Sequence, residues 1–151
     1  MKKALLVIDL QDIYLGKHYS ENLISSANKI ISDNIGSTIV YIKNINKLPL
    51  NCESLNFAAN LNIVSENIFN KHAGNAFTNP ELKKFLDSKQ IDTVEVIGID
   101  GGACVSLTAL GAVKEGYKVI LNTEAIGTKS SMENRRLKYF IKLKALGSDI
   151  I

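Results

Sequence analysis

Apolar residues along the chain fall into two kinds of pattern, unbroken runs and stripes at helical spacing. Ala4-Leu5-Leu6-Val7-Ile8 is an unbroken run that ends at Asp9, as expected of a central strand covered on both faces. Ser20 then caps a helical stretch with Leu23, Ile24, Ala27, Ile30 and Ile31 on one stripe, stopped by Gly36. Thr38 to Ile42 reads as a second strand. Lys43 to Asn62 is polar, asparagine-rich and broken by Pro49, which predicts a long loop. Ile63 to Phe69 is a third candidate strand, ending just before Asn70-Lys71. Asn79-Pro80-Glu81 opens a helix with a cap, a proline at the first helical position and an acidic first turn, and Leu82, Phe85 and Leu86 give it one apolar face.

Val94 to Ile97 is a fourth strand. It turns through Gly98, Gly101 and Gly102 into a helix that starts at Cys104 and carries Val105, Ala109, Ala112 and Val113. The small residues Ala109, Gly111 and Ala112 would let that helix lie close to a sheet. Lys118 to Leu121 is a fifth strand. Ser130 and Glu133 read as a capping box for a last helix with Leu137, Phe140, Ile141 and Leu143, and Ser148 to Ile151 as a short final strand. Strands alternating with helices predict a three-layer α/β sandwich, one domain over 1–151, around a mainly parallel sheet of five or six strands. In such sheets the loops beyond the strands' C-terminal ends open on one side. Asp9, Lys71 and Cys104 each follow a predicted strand, so the fold gathers them at one edge.

Composition narrows the function classes. With 46% hydrophobic and 22% charged residues the chain reads as a globular protein, and a net charge of +3 is too small to imply nucleic acid. The basic residues Lys129, Arg135, Arg136, Lys138, Lys142 and Lys144 face only Glu133, and are read as a solvated helix face in preference to a phosphate-binding patch. No apolar stretch approaches membrane-spanning length, and none has the form of a secretory signal. Two cysteines in unlike contexts, Cys52 in the long loop and Cys104 at a helix start, predict free thiols in a reducing cytoplasm. The glycine turn lacks the Gly-x-Gly-x-x-Gly spacing of a dinucleotide site.

Cys104 carries the chemistry. A thiol at a helix start faces unpaired N–H groups and the positive end of the helix dipole, which would favour the thiolate. Taken alone, a cysteine in such a turn is more often a small buried hydrophobe than a nucleophile. Asp9, desolvated at the end of a buried strand, would have its pKa raised towards that of a useful base. If Lys71 follows a strand two places from Asp9, the two strand ends lie ~10 Å apart, and the loop after Phe69 must bend inwards for the lysine to reach.

Three blocks carry a resemblance to the isochorismatase-like cysteine hydrolases, which include nicotinamidases and N-carbamoylsarcosine amidase. Leu5 to Tyr14 resembles the opening strand with its aspartate, glutamine and aromatic. Lys71 to Leu82 resembles the lysine block, and Gly98 to Val105 with Thr108, Ala109, Ala112, Gly116 and Tyr117 the nucleophile block. The resemblance implies an Asp9, Lys71, Cys104 triad that cleaves a small amide or carbamoyl compound through a thioester. It also implies an oxyanion hole from the N–H groups of Asp100 and Cys104 and a homo-oligomer. Gln11, Tyr14 and Gly101 are candidates for the pocket, though Gln11 reads at least as well as an amide bonding to a neighbouring loop and Tyr14 as a core aromatic. A cis peptide is expected at Asp100-Gly101. Gly101, Gly102 and Asp100 depart from the family's usual threonine, aspartate and small apolar residue, which predicts a more mobile loop and an extra carboxylate opposing ionisation of the thiol. Tyr41 to Ser54 lacks the Asp-x-His and histidine of the metal-bearing nicotinamidases, and His18 and His72 are isolated, so no catalytic metal or other cofactor is expected. The alternative is a non-catalytic or thiol-reactive member of the fold, acting as a binding or redox-sensing protein.

Overall fold

The computed structural model describes residues 1–46 and 55–151, so Pro49 and Cys52 of the long polar loop lie outside the described residues. In chain order the elements are β1 (Lys3–Ile8), a single turn α1 (Asp12–Leu15), α2 (Leu23–Asp33), β2 (Thr38–Asn44), β3 (Ile68–Lys71), α3 (Pro80–Ser88), β4 (Thr93–Ile99), α4 (Cys104–Lys114), β5 (Lys118–Gly127), α5 (Glu133–Ala145) and β6 (Asp149–Ile150). The six strands form one parallel sheet in the order β3-β2-β1-β4-β5-β6. Successive strands step outwards from β1 in one direction and from β4 in the other. The sheet therefore has its topological switch point between β1 and β4, where ligands settle in open α/β sheets.

Alternation along the central strands fills two cores. Leu6, Ile8, Val94 and Val96 face α3, α4 and α5, where they meet Leu82, Leu86, Val105, Ala109, Ala112, Phe140 and Leu143. Leu5, Val7, Ile97 and Ile99 face α2 and meet Leu23, Ala27, Ile30 and Ile31. Both faces of β1 and β4 are thus covered, which is why their sequences show no polar alternation. Among the described residues no helix is long and apolar enough to cross a membrane.

Four local expectations change. The third strand is Ile68–Lys71, while Ile63 and Val64 are exposed. Side chains replace a ladder over this segment, with Ser65 Oγ and Asn67 Nδ2 both donating to Ile39 O (2.7 and 3.0 Å) and Val64 N–H donating to Tyr41 Oη (3.1 Å). β5 runs ten residues, past a register shift, and its end lies beside Gly98 and Ile99. The polar Asn122-Thr123-Glu124 hides this continuation from hydropathy. The capping box does not form, because a 3-10 turn occupies Ser130–Met132 and Glu133 pairs with Arg136 instead. Ser20 holds the turn before α2, accepting the N–H of Asn22 at 3.2 Å, and does not cap the helix itself. The α3 start forms as expected, with Asn79 Oδ1 accepting the Glu81 N–H at 3.0 Å.

Gly98 lets β4 approach β1. It lies at φ 118°, and a Cβ there would collide with the Ile8 backbone. Gly98→Ala is expected to lower unfolding stability by more than about 2 kcal/mol in urea titrations, because neither backbone can yield without opening the central strand pair. A cost near that of a surface Gly→Ala change would contradict this packing.

Candidate active site

The site grows from the switch point. Beyond β1 the chain turns at Asp9 in the left-handed region (φ 55°), a conformation that a non-glycine residue holds only where its surroundings enforce it. The Asp9 N–H donates to Ile42 O at 3.1 Å. Its carboxylate is buried, and Oδ2 accepts Lys71 Nζ at 3.0 Å and Asn44 Nδ2 at 3.4 Å. Oδ1 is also buried and accepts no hydrogen bond among the described residues.

Lys71 is the last residue of β3, paired with Asn44 of β2. The strand therefore runs two residues past Phe69, and no inward bend of the following loop is needed. The lysine side chain is fully buried and spans the end of β2 to reach Asp9. Its ammonium also donates to Ala73 O (3.0 Å) and Gly74 O (3.1 Å), so all three of its protons have acceptors. Thr108 of α4 braces the second of those carbonyls. Its Oγ1 accepts the Ala76 N–H at 3.0 Å and donates to Gly74 O at 3.3 Å. Gly111 leaves room for Asn75 in the same segment and not for the sheet, whereas Ala109 and Ala112 enter the core as expected.

Cys104 begins α4, half-buried, with its thiol in reach of both Asp9 and Lys71. Burial, then the Asp9 carboxylate, push the thiol up to about 11, while Lys71 acts in the opposite direction. The expected preference for thiolate at a helix start is thus reversed in the resting site. Burial likewise raises the Asp9 carboxyl above its ordinary range, against the charge of Lys71.

A cavity of about 460 Å³ opens over these groups, its walls including Asp9, Tyr14, Tyr19, Asn44, Cys104 and Lys129. Tyr14 stands in the wall as expected. Gln11 and Gly101 do not. Gln11 is fully buried and ties β1 to the next loop, with Nε2 donating to Asn44 O (3.1 Å) and Leu55 O (2.9 Å) and Oε1 accepting the Asn44 N–H (2.7 Å). Gly101 faces β5 and α5, where a Cβ would strike Thr128 and crowd Ile126 and Arg136, and at Gly102 a Cβ would lie 2.5 Å from Met132 O. The two glycines therefore mark a tightly packed loop, not a mobile one. The cis peptide is at Ile99–Asp100, one bond before the expected position. His72 is exposed, and His18 is an exposed residue at the cavity wall. Among the described residues no three His, Cys, Asp or Glu side chains gather as a metal site.

Asn44, Tyr19 and Lys129 are among the wall residues that the sequence pattern does not single out. Asn44 was hidden because the second strand runs two residues past Ile42, although its place at the strand ends was a usable signal. Tyr19 lies in a connection with no periodicity. Lys129, counted with the solvated basic face, is half-buried at the cavity.

Residues 3–145 match the isochorismatase domain family. The chain is 34% identical over 64 residues to N-carbamoylsarcosine amidase of Arthrobacter sp, a match covering 42% of this chain and 24% of that protein. It is 27% identical over 142 residues to the uncharacterized isochorismatase family protein YddQ of Bacillus subtilis (strain 168), covering 85% of this chain and 79% of that one. The structure is similar to an isochorismatase-like hydrolase from Alkaliphilus metalliredigens, with a TM-score of 0.85 and 23% identity over 100% of this chain and 94% of the other. The chain belongs to the isochorismatase family, and it is a hydrolase of that family.

The electrostatics predict the reactivity of the thiol. With its pKa near 11, only about a thousandth of Cys104 is thiolate at pH 8, so its alkylation by iodoacetamide should climb about tenfold per pH unit and level only near pH 11. Lys71→Met removes the charge that lowers the pKa, so alkylation should slow further at every pH below the plateau. A plateau already reached at pH 8 would contradict the burial account.

Proposed function

We propose that the protein hydrolyses a small amide or carbamoyl compound through a thioester on Cys104, with Asp9 as the proton carrier and Lys71 as the fixed positive charge. The observation that carries this reading is the buried Asp9 carboxylate, which pairs with Lys71 through Oδ2 and lies within hydrogen-bonding reach of the Cys104 thiol.

Moving a proton from Cys104 Sγ to Asp9 changes the pair from thiol and carboxylate to thiolate and carboxylic acid. The total charge beside Lys71 stays the same, so no net charge is added to a desolvated site. The thiolate then attacks the carbonyl carbon. The Sγ–C bond forms, the carbonyl π pair moves onto oxygen, and the N–H groups of Asp100 and Cys104 serve as the donors that receive it. Among the described residues neither donates elsewhere, whereas Gly101, Gly102, Ala103 and Val105 give theirs to Gly127 O, Asp100 Oδ1 and Asp100 O. Each such donor is worth ~3 kcal/mol of transition-state stabilisation. Collapse breaks the C–N bond, Asp9 protonates the departing nitrogen, and ammonia or an amine leaves. Asp9 next takes a proton from water, the resulting hydroxide attacks the thioester, and the sulfur departs to recover the proton.

The local match to N-carbamoylsarcosine amidase supports an amide or carbamoyl carbonyl as the target. The high pKa of Cys104 argues against the redox-sensing alternative, which needs a thiol ionised near neutral pH.

Ammonia release from a panel of small primary amides and N-carbamoyl compounds should be lost in Cys104→Ala and fall at least about a hundredfold in Asp9→Asn. In Asp9→Asn the iodoacetamide rate at pH 8 should rise, because the charge that raises the thiol pKa is gone. Retained turnover in either variant contradicts the mechanism. Loss of turnover together with a slower alkylation would make Asp9 a structural residue and not the base.

A further inference from the structure

The buried carboxylate of Asp100 takes no part in the proton transfers above, yet it sits in the wall of the cavity beside the nucleophile. Its Oδ1 accepts the Gly102 N–H at 2.7 Å. Its Oδ2 accepts the Lys129 N–H at 2.8 Å and the Tyr19 hydroxyl at 3.0 Å. The backbone carbonyl of the same residue accepts the N–H groups of Ala103 (3.0 Å) and Val105 (3.1 Å) at the start of α4. Asp100 thus joins its own loop, the first turn of the nucleophile helix, the link between β5 and α5, and the link between α1 and α2.

An aspartate that merely shapes a turn needs only the Oδ1 bond to the residue two places on. The other oxygen here is engaged by groups 29 and 81 residues away in the chain. The glycines add a second constraint. Gly101 donates its N–H to Gly127 O at 2.9 Å, Ser106 Oγ donates to Gly101 O at 2.5 Å, and neither Gly101 nor Gly102 has space for a Cβ. With the carboxylate tied on three sides and the next two residues wedged against Thr128 and Met132, the peptide planes on either side of Asp100 have little freedom to rotate. The Asp100 N–H belongs to one of those planes.

We infer that Asp100 is a positioning residue whose buried carboxylate, held by Tyr19 and the Lys129 and Gly102 amides, aims the backbone N–H groups of Asp100 and Cys104 at the oxygen of the bound carbonyl. The inference rests on the thioester reading of the site. It assigns to this carboxylate the orientation of the oxyanion donors, and leaves activation of the sulfur to Asp9 and Lys71. Asparagine at position 100 keeps the shape and the bond from Gly102, but its amide presents N–H where Oδ2 accepts the Lys129 N–H. Tyr19→Phe removes a single bond of the three and leaves the packing in place.

Two probes of Cys104 separate the roles. Iodoacetamide reports the sulfur alone, since its displacement step develops no oxyanion. Propionaldehyde reports the donors. Its carbonyl carbon bonds to Sγ, the π bond opens, and the thiol proton ends on the oxygen, which the Asp100 and Cys104 N–H groups then hold if Asp100 aims them there. The aldehyde dissociation constant, read as protection of Cys104 from iodoacetamide, should rise at least about tenfold in Asp100→Asn and about threefold in Tyr19→Phe. Alkylation without aldehyde should stay within about twofold of the parent protein in both. Unchanged aldehyde affinity in Asp100→Asn overturns the positioning role while leaving the thioester reading intact. Equal loss of aldehyde binding and of alkylation in both variants also overturns it, in favour of a structural role. A parent protein whose Cys104 is alkylated but never protected by aldehyde would sink the thioester reading and the inference with it.

Discussion

A lysine ammonium carried to the inside of the sheet edge constrains everything else at the site. Lys71 is fully buried, and a buried charge is tolerated only when paired and hydrogen-bonded. Here the Asp9 carboxylate and two backbone carbonyls meet that demand. Two of these acceptors have their own support. Asp9 is held in a left-handed turn by Ile42, and the Gly74 carbonyl is braced by Thr108 of the nucleophile helix. The ion pair also spans β2, so it links an edge strand to the central strand. A base, a fixed cation and the helix bearing the thiol are therefore ordered by one interaction.

The nucleophile loop solves a different problem. It must present backbone donors without side chains intruding, and must not move. Gly98 brings β4 against β1, and Gly101 and Gly102 bring the loop against the end of β5 and the start of α5. The carboxylate of Asp100 closes the arrangement from the cavity side. Glycine is usually associated with freedom of the backbone. In this loop its lack of a Cβ serves close approach, and the result is restraint.

Much of the fold was legible in the chain. The runs Ala4 to Ile8 and Val94 to Ile97 are apolar on both faces because helices cover both faces, and the Asn79-Pro80 start of α3 is local chemistry that needs no tertiary context. What stayed hidden was set by contacts distant in sequence. Ile63 and Val64 look like a strand, but Ser65 and Asn67 spend the Ile39 carbonyl on side-chain bonds. β5 continues through a polar stretch because its far end pairs with Gly98 and Ile99. At the site, Asp9, Lys71 and Cys104 could be placed at one edge from topology together with the family resemblance. Gln11 could not be told from a pocket residue, since only the fold shows its amide turned to Asn44 and Leu55. The direction of the Cys104 shift was misread because a helix start is visible in sequence and the depth of burial is not.

The claim on which the account turns is that Lys71 and Asp9 depend on each other across the end of β2. A double-mutant cycle in urea, with Lys71→Met, Asp9→Asn and the two combined, measures this directly. Each single change should cost about 3 kcal/mol by leaving one buried group without its partner, and the combined change should cost less than the sum by more than about 1.5 kcal/mol. Additive losses would mean that the two residues do not act as a pair, and the ordering of the site around that pair would have to be abandoned.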